Sequence, residues 1–233
     1  MIELNDIGKS YGKLEIIKNF SCVFRSGEFV CICGPSGIGK TTLLQLIAGL
    51  EKPEYGSIQY RSQNIAYVFQ ESRLIPWCNV LENIEIGLYA LMPEDRWERR
   101  SISEKLALKV GLDGFQSYYP SQLSGGMKQR VSLARAFAIE PDILLLDEPF
   151  SSLNDELREA MCRYLVKLLA FKPRTSIMVT HNIEEAVRLA DRIIFLRNRP
   201  CEIVLDFSIS TALQDRDMKF RLEQIEKIQA LIN

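Results

Sequence analysis

The sequence predicts an α/β fold interrupted by a helical lobe, and three observations carry that prediction. Strand-like apolar runs separated by Gly, Asn and Ser fill the first seventy or so residues. Between residues 73 and 138 those runs stop and helical periodicity takes over. Strand and helix patterns then alternate again toward the C-terminus.

The elements follow in chain order. Residues 2–4, 16–24, 29–33, 57–60 and 65–69 are the early strand candidates. A helix is expected to open at residues 39–42 and to end near Gly49, where a glycine closes a helix at low conformational cost. In the lobe, residues 81–91, 93–110 and 124–138 repeat with a helical period. Residues 143–146 are wholly apolar, as a central parallel strand covered on both faces requires. Residues 155–170 place Leu157, Met161, Leu165 and Leu168 on one stripe of a helix. Strands at 176–179 and 192–196 flank a helix at 182–190. Near the end Met218, Leu222, Ile225, Ile228 and Ile232 form another helical stripe. Packing on the parent domain is its first reading and a partner-binding helix the second. No internal repeat or low-complexity tract is visible.

Bulk properties bound the function. With 233 residues, 47% hydrophobic and 25% charged, the chain is long enough for one large domain carrying an inserted lobe. Lys plus Arg number 29 and Asp plus Glu 30, a net charge of -1, which argues against nucleic acid as a partner. The cysteines at 22, 31, 33, 78, 162 and 201 show neither a C-x-x-C pair nor zinc spacing. They are expected to be reduced thiols, mostly buried, with Cys31 and Cys33 on one face of a strand. The first twelve residues lack an apolar signal core, and no run approaches the roughly 18 apolar residues of a membrane span. Membrane attachment is therefore expected to come through a partner.

The run Gly34-Pro35-Ser36-Gly37-Ile38-Gly39-Lys40-Thr41 fits G-x-x-x-x-G-K-[ST] in full. It follows an apolar strand and precedes a helix, the context the motif needs. Glycines let backbone N–H groups turn toward an anion, and the helix N-terminus adds partial positive charge. Lys40 is positioned to reach the outer phosphates of a nucleotide, Thr41 to hold Mg²⁺, and Thr42 to line the helix start. Alone, this motif specifies only a nucleotide phosphate.

Two adjacent acids, Asp147 and Glu148, end the apolar run 143–146. Asp147 is expected to hold Mg²⁺, and Glu148 to orient or deprotonate an attacking water. Alone the pair reads equally well as a solvated acidic turn. Beside the phosphate loop it favours a hydrolase over a phosphotransfer kinase.

Leu123-Ser124-Gly125-Gly126-Met127-Lys128-Gln129-Arg130 resembles the signature sequence of ABC-type ATPases and lies between the two nucleotide motifs, as it does in that family. The resemblance covers nearly the whole chain. It implies a P-loop NTPase core with a mixed or parallel sheet, an N-terminal antiparallel β subdomain and an inserted helical subdomain. On that reading residues 1–72 and 139–233 are core and residues 73–138 the helical signature subdomain. It also implies a head-to-tail homodimer with ATP at the interface, Ser124, Gly125 and Gly126 of one copy facing the nucleotide of the other. Tyr11 matches the aromatic that stacks on adenine, Gln70 the glutamine that senses Mg²⁺ and the attacking water, and His181 the switch histidine at the γ-phosphate. Three positions depart from the pattern. Asn154 stands in place of an Asp, Met127 in place of a Gln, and Ile38 in place of a smaller residue.

The segment from Val68 through Phe69-Gln70-Glu71, Leu74-Ile75-Pro76-Trp77 and Glu82-Asn83 is similar to the nitrate, sulfonate and taurine importer group, and thiamine-precursor importers share its look. That likeness implies permease subunits docked on an apolar ridge of Leu74, Ile75, Pro76 and Trp77. It further implies an extracytoplasmic solute-binding protein acting indirectly, and a cytoplasmic chain peripheral on the inner face of the cell membrane. The expected function is ATP binding and hydrolysis that energises uptake of a small solute. A soluble ABC ATPase outside transport is one alternative, and a non-hydrolysing ATP-gated interaction module is another. The sequence stops soon after the core, so no added C-terminal regulatory domain is expected.

Overall fold

The computed structural model describes every residue except Gln63, Ser152, Phe171, Pro173 and Asn233. In chain order the first elements are β1 (Ile2–Tyr11), β2 (Leu14–Phe24), β3 (Phe29–Cys33), α1 (Lys40–Ile47), β4 (Tyr55–Tyr60) and β5 (Ile65–Val68). The helices α2 (Val80–Glu85), α3 (Arg96–Lys109) and α4 (Gly125–Ala138) follow. Then come β6 (Ile143–Asp147), α5 (Asp155–Leu169), β7 (Thr175–Thr180) and α6 (Ile183–Leu189). β8 (Arg192–Arg197), β9 (Glu202–Ser208) and α7 (Met218–Ile232) complete the chain.

These elements form two compact units. The first comprises residues 1–63, 145–148 and 174–233, and the second residues 64–144 and 149–173.

In the first unit β2, β1 and β4 make an antiparallel sheet with β1 in the middle. A second sheet of this unit runs from residues 145–147 of β6 through β7, β3 and β8 to β9. β3 is parallel to β7 and β8, and β9 returns antiparallel to β8. All five residues of β3 are buried, as are all six of β7, which fits strands covered on both faces. The parallel register sets Cys33 level with Thr180 and Phe195, so β3 and β7 end together and β8 runs two residues further. Loops leaving the carboxyl ends of such strands are where α/β folds gather ligand-binding groups.

In the second unit α2, α3 and α4 pack on one another, and β5 lies with them. Asn64 ties this unit together, its carbonyl accepting from the amides of Asp142 and Ile143 at 3.0 and 3.1 Å. α2 starts on a capping box in which Asn79 and Glu82 satisfy each other's backbone amides. Helix α5 buries Met161, Leu165 and Leu168 of the stripe the sequence marks, together with Cys162, while Leu157 is half-buried.

Several elements differ from the sequence expectation. β1 extends to Tyr11 because its pairing with β2 and β4 continues past the apolar start. The expected helix at 81–91 is α2 followed by a short 3₁₀ turn at Ile86–Leu88, and α3 begins at Arg96, capped by Asp95. β9 was not marked by any alternation. Only Ile228 of the α7 stripe is fully buried, while Met218, Leu222 and Leu231 are exposed. Five of the cysteines are buried free thiols and Cys78 is half-buried.

Candidate functional site

The phosphate loop leaves the end of β3 and closes into α1. Gly34, Gly37 and Gly39 take φ of 148°, 77° and 111°, conformations that L side chains rarely adopt. At two of them a side chain has no room. A Cβ on Gly34 would lie 2.4 Å from the Leu196 carbonyl oxygen, and one on Gly39 would lie 2.5 Å from Ile16 Cγ2. Ile38, which stands in place of a smaller residue, is buried, and its Cδ1 would sit 2.7 Å from that same Gly34 Cβ. Pro35, Ser36 and Gly37 are exposed at the tip of the loop.

Lys40 is the first residue of α1 and is buried, with a relative exposure of 4%. Its Nζ donates to the carbonyl oxygens of Gly34 and Pro35, both at 2.9 Å, so the ammonium lies across the mouth of its own loop. Burial holds its pKa below the usual lysine value, and Glu148, Cys33 and Asp147 oppose that shift. Thr41 Oγ1 donates to Asp147 Oδ1 at 2.9 Å. Thr42 follows in the same helix turn, half-buried.

Glu148 follows β6 with φ of 41°, left-handed backbone for a residue with a full side chain. Such a conformation costs about 1–2 kcal/mol and persists only where neighbours enforce it. Its amide donates to the Val179 carbonyl on β7 at 3.0 Å, which fixes the turn. The carboxylate is mostly buried between Lys40 and His181: Oε1 lies 3.9 Å from Lys40 Nζ and Oε2 lies 3.1 Å from His181 Nδ1. His181 stands between β7 and α6 and is exposed. Asn182 caps α6, its Oδ1 accepting from the amides of Glu184 and Glu185 at 2.8 and 3.2 Å, and Thr180 Oγ1 accepts from the Asn182 amide. Both flanks of His181 are thereby anchored.

Lys40, Thr41, Asp147, Glu148 and His181 thus converge inside one unit. Tyr11 belongs to the same unit, at the end of β1. Its ring is exposed, its hydroxyl donates to Glu51 Oε1 at 2.8 Å, and Lys9 Nζ lies 5.3 Å from the ring centre.

The remaining expected residues lie in the second unit. Gln70 stands two residues beyond β5, exposed, with Nε2 donating to Ser151 Oγ at 3.3 Å. Ser124 caps α4 by accepting from the Met127 amide at 3.3 Å. Ser124 and Gly125 are exposed and Gly126 is buried. Asn154 caps α5, its Oδ1 accepting from the Leu157 amide at 2.9 Å, and Ser152 of that loop lies outside the described residues. The ridge expected at 74–77 surrounds Asn83, a fully buried side chain that bonds backbone groups of Ile75, Cys78 and Asn79. That knot leaves Trp77 78% exposed. A groove of about 840 Å³ nearby is lined by Asn79, Glu82, Glu85, Tyr89, Trp97 and Arg100 among others.

Two features were missed by sequence reasoning. The left-handed backbone at Glu148 has no sequence signal, since Glu is not a turn residue. Arg199 beside Gly37 was overlooked because it lies 162 positions away in sequence.

Comparison with known proteins bears on the family and the fold. The model of the family described as ABC transporter matches residues 17–151. The chain is 42% identical over 203 residues to the aliphatic sulfonates import ATP-binding protein SsuB 1 of Rhodococcus jostii, covering 85% of this chain and 80% of that protein. It is 38% identical over 237 residues to the nitrate import ATP-binding protein NrtD of Synechocystis sp., covering 97% and 89%. The sulfate/thiosulfate import ATP-binding protein CysA of Pseudomonas syringae pv. tomato is 41% identical over 208 residues, and the match spans 84% of this chain but 64% of that longer relative. Among solved structures, a dimeric ATP-binding cassette in a post-hydrolysis state bound to ADP and Pi superposes with a TM-score of 0.78 at 32% identity. A dimeric bacterial ABC transporter cassette superposes with 0.79 at 33%. Each covers 91% of this chain and 100% of the solved one.

Proposed function

The chain belongs to the ABC transporter family, and from that premise we propose that it is the ATP-binding and ATP-hydrolysing subunit of an importer for a small solute of the sulfonate, nitrate, taurine or thiamine-precursor type. The observation that carries the catalytic part is the placement of Glu148 between Lys40 and His181, directly after Asp147 of the Thr41–Asp147 pair. A phosphate cradle, a lysine and a buried carboxylate at one strand end suit hydrolysis of a phosphoanhydride.

In this reading Lys40, together with the loop from Gly34 to Thr42, binds the phosphates. Lys40 already bridges two loop carbonyls, so it exchanges those bonds for phosphate oxygens with little movement. Glu148 accepts the proton of the attacking water, and His181 holds the Glu148 carboxylate on the side away from Lys40. Tyr11 offers an exposed aromatic face for the adenine. The donor set at Thr41 and Asp147, a hydroxyl and a carboxylate oxygen, is the hard-oxygen chemistry that Mg²⁺ takes, and Gln70 is assigned to the same ion by resemblance. When bound, Mg²⁺ supplies charge neutralisation to the phosphate oxygens.

Ser124, Gly125 and Gly126 are assigned to the nucleotide of a second copy, which makes the working unit a homodimer. Two solved relatives are dimers, which supports that assignment. Residues 73–138 act as the helical lobe, and its groove lined by Trp97, together with the exposed Trp77, takes an integral membrane permease. Among the described residues no helix is long and apolar enough to cross a membrane. Attachment to the inner face of the membrane through the permease, with a solute-binding protein on the other side, follows from the importer reading. Sulfonate, nitrate, taurine and thiamine-precursor solutes all remain compatible.

The test is nucleotide binding by Lys40→Ala beside the wild type, with co-purification of a multi-span membrane protein. Loss of ATP binding in the variant and recovery of a permease with the wild type support the proposal. Unchanged ATP affinity in the variant overturns the site, and a chain that hydrolyses ATP but retains no permease overturns the importer role.

A further inference from the structure

The hairpin joining β8 to β9 reaches the phosphate loop. β8 runs parallel to β3 with Phe195 level with Cys33, so the residues after Phe195 emerge beside those after Cys33. Two contacts fix the approach. The Leu196 carbonyl oxygen lies against Gly34, and the Cys201 amide donates to the Ile16 carbonyl at 2.8 Å. Asn198 turns the chain with φ of 66°, and its Nδ2 donates to Glu202 Oε2 at 3.3 Å. From this braced turn the Arg199 guanidinium donates through Nη2 to the Gly37 carbonyl oxygen. A Cβ on Gly37 would meet the same nitrogen at 3.0 Å, so the guanidinium packs tightly against the face that glycine leaves bare.

That carbonyl belongs to the peptide linking Gly37 to Ile38. The unit is planar and trans, so its C=O and N–H point in opposite directions. A cationic donor on the carbonyl oxygen therefore settles where the Ile38 amide points. Glycine at 37 lets this peptide rotate at little cost, so its orientation needs support from outside the loop. Ile38 gives one support through its buried side chain against Gly34. Arg199 gives the other, through a charge-assisted bond, the stronger class of hydrogen bond.

We infer that Arg199 is a positioning residue for the phosphate loop, holding the Gly37–Ile38 peptide with its amide turned toward bound phosphates and thereby raising nucleotide affinity without touching the nucleotide. The inference rests on the nucleotide reading given above. It separates Arg199 from an ordinary surface arginine, whose removal changes little.

The experiment measures ADP affinity by calorimetry for wild type, Arg199→Ala, Arg199→Lys and Lys40→Ala, with melting of each protein free of nucleotide. Arg199→Ala is expected to weaken ADP binding about 3- to 10-fold, scaled to one charge-assisted bond that is partly exposed. Arg199→Lys recovers part of the loss, because an ammonium also donates to a carbonyl, and neither variant shifts nucleotide-free melting. In steady state KM for ATP rises in Arg199→Ala while kcat holds, the mark of lost uniform binding. Unchanged ADP affinity in Arg199→Ala, alongside loss of binding in Lys40→Ala, overturns this inference and leaves the site intact. Weakened affinity that tracks a fall in nucleotide-free melting and is not recovered by lysine also overturns it. Unchanged affinity in Lys40→Ala would instead remove the nucleotide reading itself.

Discussion

Replacing Glu148 by Gln removes one negative charge and one proton acceptor while keeping the size of the side chain. The backbone strain at φ of 41° is common to both residues, so the turn held by Val179 survives. Oε1 lies 3.9 Å from Lys40 Nζ and Oε2 lies 3.1 Å from His181 Nδ1, and an amide reproduces the contact to His181 through either of its atoms. What it cannot do is take a proton from water. A positioned general base contributes about 10²–10⁴-fold, or roughly 3–5 kcal/mol of barrier. Binding moves the other way, because a carboxylate facing a triphosphate repels it and an amide does not. Glu148→Gln is therefore expected to release phosphate about 10²–10⁴ times more slowly while binding ATP at least as tightly. Phosphate release under single-turnover conditions, with ATP affinity measured in parallel, reads both quantities. Turnover within tenfold of wild type, in a variant that melts normally, would refute the role of Glu148 as the base.

Two further predictions concern the frame around the site. Burial pushes the thiols of Cys33, Cys22 and Cys201 up, Cys33 to about 12 and the others to about 11. In the folded chain they keep protons that the unfolded chain releases near pH 9, so their stabilising contribution is complete below pH 9 and is lost as pH rises toward 11–12. Lys40, held below its usual value, acts in the opposite sense, but the three thiols outnumber it. Melting is expected to fall from pH 8 to pH 10.5, and a thiol reagent at pH 8 should label half-buried Cys78 before any buried cysteine; a flat melting profile over that range contradicts this. Asn154 caps α5, so Asn154→Ala is expected to cost about 1 kcal/mol, or roughly 2–4 °C in melting, whereas Asn154→Asp keeps the cap and stays within about 1 °C. Equal melting of the alanine and asparagine proteins by calorimetry would show that the cap is not formed.

The parts of the fold that were legible are those where one local signal suffices. The run at 29–33 reads as a buried strand because all its side chains are apolar, and five buried residues are what β3 presents. The phosphate loop was legible because its glycines obey a backbone requirement, now visible as positive φ at Gly34, Gly37 and Gly39. The helices at 124–138 and 182–190 were legible as well, and the structure opens them on side-chain caps at Ser124 and Asn182. β9 was not legible. It is an edge strand held mainly by β8 and by the Arg192–Asp206 pair at 2.5–2.6 Å, and its exposure does not alternate cleanly enough to mark a face. The α7 stripe misled for a related reason. Helical spacing shows that a face exists and does not show whether anything covers it, and here Ile228 alone is fully buried. The strained turn at Glu148 and the approach of Arg199 to Gly37 come from strand register between distant segments, which no local pattern encodes.

The account depends on ATP being held between two copies of this chain, with Lys40 supplied by one and Ser124 by the other. Sedimentation of Glu148→Gln with and without ATP, repeated with Ser124→Arg added, measures this directly. The prediction is a dimer formed only with ATP by Glu148→Gln and a monomer under both conditions once Ser124 is replaced. Dimers that form without nucleotide, or that persist with ATP despite the arginine at position 124, would contradict it.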